Sequence, residues 1–190
     1  MKIFKRLCLC AVGLVAALLV GSLFLPESVR VTRTASAKAS PENVFAQLNI
    51  MKNWENWSPW YEKDPKTTLR YEGPAEGKGA KYSWDSPSQG KGSLTIVESV
   101  PNKKVRTDLE FVDHGKGVAE HQLEKEGSGT KIIWMMEMQL GKNPVAKYFG
   151  LLMDKMIGPD FEKGLQNLAR VAESASDPAP APATKEAAAK

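Results

Sequence analysis

Cysteine is almost missing from this chain: there are two, Cys8 and Cys10, and both lie inside its one long apolar run. They cannot staple a folded domain, so they read as small apolar filler and leave the redox compartment open. Histidine is as scarce, with only His114 and His121. A zinc site needs at least three His, Cys or acidic ligands at defined spacing, and no such set is present, so no metal is expected. No G-x-S-x-G elbow occurs, and no histidine stands beside a cysteine nucleophile. Gly73-Pro74-Ala75-Glu76-Gly77-Lys78-Gly79 has a phosphate loop's glycines at the wrong spacing, with Gly rather than Ser or Thr after the lysine. It reads as a turn, and no cofactor is expected.

Clustered positive charge is missing too. Net charge is +4, but Lys2, Lys5 and Arg6 supply three of those charges ahead of the apolar run. After Pro26 acids interleave with bases throughout. Nucleic acid, which needs massed Lys and Arg to displace counterions, is therefore set aside as a partner.

What is present starts with a charge-free run from Leu7 to Leu25. At ~1.5 Å per residue it approaches the ~30 Å of a bilayer's hydrocarbon core. Ala35-Ser36-Ala37 imitates a cleavage site but falls well past that run, and Val29 to Ala37 reads as the first strand of the domain. An uncleaved anchor is the preferred reading. Lys and Arg are balanced across the run (Lys2, Lys5, Arg6 against Arg30, Arg33, Lys38), with the leading ones closer to its edge. That favours a cytoplasmic N-terminus and an extracytoplasmic, periplasmic domain. The expected organisation is a basic flank (1–6), a transmembrane anchor (7–25), a domain (29–173) and a Pro/Ala-rich tail (174–190), disordered or semi-rigid for want of large apolar side chains.

Ser40-Pro41-Glu42 signals a helix start, with Ser as cap, Pro in the first turn and an acid at the positive end. Trp54, Trp57 and Trp60 then crowd a short stretch broken by Pro59. Such a cluster either closes the rim of a cavity or plugs one end of the core. From Thr67 to Leu140 the pattern is strands and turns. Tyr71 ends the first of them, and Tyr82 and Trp84 alternate with polar residues in the next. Leu109 and Phe111 do so in the cleanest period of two in the chain. Ala119, His121 and Leu123 share a face, as do Ile132, Trp134, Met136 and Met138.

Asn143-Pro144 opens a long helix on which Phe149, Met153, Met156, Ile157, Phe161, Leu165, Leu168 and Val171 recur at helical spacing. Lys147, Asp154, Lys155, Glu162 and Arg170 are assigned to its other face. Gly158-Pro159 predicts a kink there. An antiparallel sheet with one wet face must cover the other, and this helix is the only element long enough to do so.

Ser40-Pro41-Glu42-Asn43-Val44-Phe45, Asn53-Trp54 through Trp57-Ser58-Pro59-Trp60, Gly127-Ser128-Gly129-Thr130 leading to Trp134, and Asp154-Lys155-Met156-Ile157-Gly158-Pro159-Asp160-Phe161-Glu162-Lys163-Gly164-Leu165 resemble the polyketide cyclase/dehydrase-like family. That family belongs to the START-like, helix-grip (SRPBCC) superfamily, and the likeness spans about Val29 to Glu173. It implies an α+β fold, a curved antiparallel sheet around a long C-terminal helix, with an apolar pocket between them. Superfamily members bind lipids, sterols, polyketides and other hydrophobic molecules, and only some are enzymes.

The candidate ligand-binding residues are then Trp57, Trp60, Tyr71, Tyr82, Trp84, Leu109, Phe111, His121, Trp134, Met136, Phe149, Met153 and Met156. His121 stands where many relatives carry an aromatic or aliphatic residue. It either works as an acid/base in a cyclase or hydrolase, or packs in a mixed core, and the packing reading is preferred. The expected function is a membrane-tethered binder of a hydrophobic small molecule or lipid, with that enzyme as the alternative.

Overall fold

The computed structural model describes residues 2–112 and 115–175. His114 and the tail after Ala175 lie outside the described residues.

Helix α1 (Lys2–Ser22) leads into β1 (Ser28–Ala37). Next come α2 (Pro41–Asn49), a 3₁₀ turn (Met51–Asn56) and the short α3 (Pro59–Lys63). Six strands follow: β2 (Thr68–Glu72), β3 (Lys81–Ser86), β4 (Gly90–Val100), β5 (Lys104–Phe111), β6 (Gly115–Glu126) and β7 (Gly129–Gln139). The last element is α4 (Pro144–Ser174). All seven strands form one sheet in the order β1-β7-β6-β5-β4-β3-β2, each pair antiparallel. Strands β2 to β7 are a plain meander, and β1 closes the far edge by pairing with β7, Ser28 opposite Gln139 and Ala37 opposite Thr130. A register shift in β4 between Ile96 and Glu98 adds local bend and twist. This is the helix-grip architecture.

Local chemistry sets both capped helices. The Ser40 hydroxyl accepts from Asn43 N at 3.4 Å, and Asn143 Oδ1 accepts from Val145 N at 2.9 Å and Ala146 N at 3.3 Å. Each pairing satisfies donors that the first helical turn leaves free. Helix α4 packs along β1 and α2, and its second half buries Phe161, Leu165 and Leu168 in one core with Val31, Val44 and Leu48. At Gly164 a Cβ would meet the Trp134 ring at 2.7 Å, so glycine lets the helix approach the sheet there. Phe161 stacks on Trp134, with centroids 4.1 Å apart and planes at 13°.

Helix α4 is one element from Pro144 to Ser174, as the long pattern implied, and carries Pro159 inside it. The Arg33 guanidinium lies against Gly158 and reaches Asp154 at 2.8 Å and Glu162 at 2.9 Å, one turn to either side. It bridges the stretch where Pro159 removes a backbone donor. Replacing Arg33 by alanine is expected to leave global stability within about 1 kcal/mol, since these carboxylates are exposed. Hydrogen exchange of amides 145–157 should nonetheless speed up relative to 161–172. Equal rates in both halves would mean the bridge holds nothing.

Lys147 is not on the solvent face. It is buried, its Nζ donating to Ser22 O at 3.3 Å with Glu27 at 3.8 Å. Helical spacing could not foresee this, because the partner is the negative C-terminal end of α1, which leaves carbonyls without intrahelical donors.

Candidate functional site

Between the inner face of the sheet and the first half of α4 lies a cavity of about 560 Å³. Strand alternation builds its wall. Tyr82 and Trp84 from β3, Leu94 from β4, Leu109 and Phe111 from β5, Ala119 from β6, and Trp134, Met136 and Met138 from β7 all turn inward. Phe149, Met153, Met156 and Ile157 of α4 face them. Trp54, Trp60 and Tyr61, with Leu69 and Tyr71 of β2, close the side. The volume falls within the ~300–1,000 Å³ common for small-molecule sites.

The polar lining groups collect toward α3 and the β3–β4 turn. Lys63 pairs with Asp160 at 2.5 Å, and Gln89 Nε2 donates to Trp60 O at 2.8 Å. Asp64 accepts from the hydroxyls of Ser86 at 2.6 Å and Ser88 at 2.8 Å, which hold its carboxyl down to about 2. That ties the α3–β2 connection to the β3–β4 turn. Deeper in, burial pushes the Tyr82 phenol well above its usual range. Burial, then its bond to Glu55, does the same for Tyr71. Both rings stay neutral, so away from Glu55 and the Lys63–Asp160 pair the wall offers aromatic faces, thioethers and a few neutral donors. Among the described residues no group of three His, Cys, Asp or Glu side chains is placed to hold a metal ion.

Of the residues expected at the site, Trp60, Tyr71, Tyr82, Trp84, Leu109, Phe111, Trp134, Met136, Phe149, Met153 and Met156 line this cavity. Trp57 and His121 do not. Trp57 is 1% exposed and its indole N–H donates to Gln47 O at 3.2 Å, so it plugs the core behind the cavity. Trp54, one 3₁₀ turn earlier, lies over it at 4.7 Å and takes the cavity-facing place.

His121 is on the inner face, as its parity with Leu123 implies, but that patch is roofed. Trp54 and Trp57 meet it edge-on at 5.6 and 5.7 Å, and Trp134 stacks on it at 4.8 Å. Both ring nitrogens are buried with no hydrogen-bond partner among the described residues. Burial pushes its pKa down to about 3. A neutral imidazole behind three indoles has no path for a proton to anything in the cavity. Sequence reasoning did not name Trp54, Tyr61, Leu69, Leu94, Ala119, Met138, Ile157 or the polar groups near α3 as site residues. Ala119 shares a face with His121, so its position was legible. The polar groups lie on turns, where no periodicity reports a direction.

A family described as polyketide cyclase / dehydrase and lipid transport matches residues 28–173. The chain belongs to that family. No curated protein matches the sequence. Several solved structures share the polyketide cyclase/dehydrase fold at low identity. A protein of unknown function from Staphylococcus aureus, SA2116, is 17% identical with a TM-score of 0.61, over 78% of this chain and 96% of that one. The Aha1 dimer structure from Colwellia psychrerythraea is 17% identical with a TM-score of 0.55, over 78% and 99%. The di-domain ARO/CYC StfQ of the steffimycin biosynthetic pathway is 10% identical with a TM-score of 0.58, over 78% of this chain and 51% of that one. These likenesses concern the fold.

Proposed function

We propose that this chain is a membrane-tethered binding protein for a hydrophobic small molecule or lipid, held between the sheet and α4. The observation that carries the reading is an interior of about 560 Å³ walled by aromatic rings and methionines. Methionine adapts to irregular apolar shapes, and indole offers broad faces to rings or chains. The polar cluster near α3 would meet one oxygenated end of such a ligand. The anchor reading draws on α1, in which Phe4–Ser22 is long and apolar enough to cross a membrane and is exposed from Phe4 to Val20. On this reading α1 is retained, the N-terminus is cytoplasmic and residues 29–173 form the extracytoplasmic domain. The cyclase or hydrolase alternative depended on His121, and the indoles that cover it argue for the binder.

The full chain in detergent should bind cis-parinaric acid saturably, with energy transfer from Trp60 and Trp134 to the polyene. Ala119→Trp places a large ring in the cavity from a wall residue that is 4% exposed. It should weaken binding by about tenfold or more, equivalent to ~1.4 kcal/mol. Unchanged affinity in a variant whose circular dichroism matches the parent would place the probe elsewhere and end the proposal.

A further inference from the structure

Exposed large apolar side chains are segregated on this molecule. Outside α1 and the residues that trail it, those among the described residues fall on the first half of α4 (Val145, Phe149, Leu151, Leu152, Met156), on Val112 just after β5, and on Tyr71 beside the cavity. Phe149, Met156 and Tyr71 also line the cavity, so its mouth carries an apolar rim.

That rim lies at the end of the domain where α1 arrives. Ser28 pairs with Gln139, Met138 with Gly117, and Gly115 with Phe111. The start of β1, the end of β7, the end of β5 and the start of β6 therefore share one end of the sheet, and α4 begins there. Helix α1 is also fastened to the first turn of α4. Tyr148 Oη donates to Leu18 O at 3.0 Å, and Lys147 Nζ donates to Ser22 O at 3.3 Å. Leu18 sits one turn inside the end of α1, ~6 Å at 1.5 Å per residue. A helix turn held at that level of a membrane span cannot have bulk water around it. Tyrosine and lysine are the side chains that suit the boundary between headgroups and hydrocarbon. Lys142 and Lys155 are both exposed, and at a membrane surface they would pair with headgroup phosphates.

We propose that the first half of α4 and Val112, just after β5, rest in the leaflet from which α1 emerges, so that the cavity opens on to lipid. The ligand class is then a molecule dissolved in that leaflet, an acyl chain or a flat apolar compound, which enters without crossing water. This rests on α1 being a retained span, the anchor part of the reading above. The bilayer is the occupant because α1 fixes the height of the rim, and a soluble partner has no such constraint.

The test uses the full chain with Cys8→Ala and Cys10→Ala, reconstituted in vesicles of phosphatidylcholine and phosphatidylglycerol. An environment-sensitive NBD dye is attached at Leu152→Cys or, at the opposite end of the sheet, at Lys103→Cys. Leu152 is exposed and does not line the cavity, so the label leaves the binding wall intact. The dye at 152 should emit at shorter wavelength and be quenched several-fold more by nitroxide-labelled lipids than the dye at 103. Equal, water-like emission at both positions would overturn the proposal. A blue shift at 152 without lipid quenching would overturn it as well, since another protein surface would then cover the rim. Release of the protein by alkaline carbonate would do the same by removing the span. Leu152→Asp should slow uptake of cis-parinaric acid from vesicles several-fold while leaving its affinity in detergent unchanged; an unchanged uptake rate counts against entry through the rim. Failure of the parent protein to bind the probe in detergent would sink the binding function but leave the dye result standing, so the two ideas can fail separately.

Discussion

Lowering the pH from 6.5 toward 3 is expected to remove roughly 5 kcal/mol of folding stability through one side chain, His121. Its folded pKa is about 3, against 6.5 for a free imidazole, because burial disfavours the charged ring. Below pH 6.5 the unfolded chain takes a proton on this ring and the folded chain does not. The unfolded state then binds more protons, so stability rises with pH across the window and is lost as pH falls through it. At ~1.4 kcal/mol per unit the loss is about 2 kcal/mol by pH 5. Urea midpoints at pH 7, 6 and 5 should fall steadily for the parent protein and more gently for His121→Phe or His121→Leu. At pH 7 both substitutions also delete two unpaired buried nitrogens, a liability of ~1–3 kcal/mol in protein mutational data. The Leu variant should therefore be at least as stable as the parent at neutral pH, while Phe has to fit a slightly larger ring among three indoles. Parallel pH curves for parent and variants would show that His121 keeps its proton affinity, and with it a route to solvent.

Phe161→Ala is expected to lower stability by ~3–5 kcal/mol, the range for emptying a buried aromatic site. The ring is fully buried, stacked on Trp134 at 4.1 Å and edge-on to Trp60 at 5.9 Å. It joins α4 to the sheet directly beneath the cavity, so its loss leaves a void that Gly164 on the next turn cannot fill. Chemical denaturation would read the change, and Phe161→Leu should recover more than half of it by restoring volume. A drop of less than ~1.5 kcal/mol for the alanine variant, within the reach of a volume-conserving swap, would mean that α4 is not gripped at this point.

Strand faces were readable because alternation in a half-wet sheet carries direction. Trp84, Phe111 and Trp134 all point to the cavity that their parity implied. The start of α4 was readable from Asn143-Pro144, since an amide cap and a proline leave few alternatives. Trp57 was not. It sits between a 3₁₀ turn and Pro59, where neither a period of two nor of 3.6 applies, and only the packed structure says which indole faces the cavity. His121 shows a second limit. Parity placed it on the inner face, but whether an inner residue touches the cavity depends on what arrives from elsewhere in the chain to cover it.

From the sequence alone came the elements, their amphipathic faces and the apolar leading run, each written in local periodicity and capping chemistry, and, through the family resemblance of its motifs, the helix-grip class. The tertiary structure decided that the interior stays open beside α4, that three indoles close over His121, and that Lys147 and Tyr148 clasp the end of α1. Those outcomes depend on contacts between residues far apart in the chain, set by volumes and by the negative end of one helix meeting side chains of another, which no local pattern encodes.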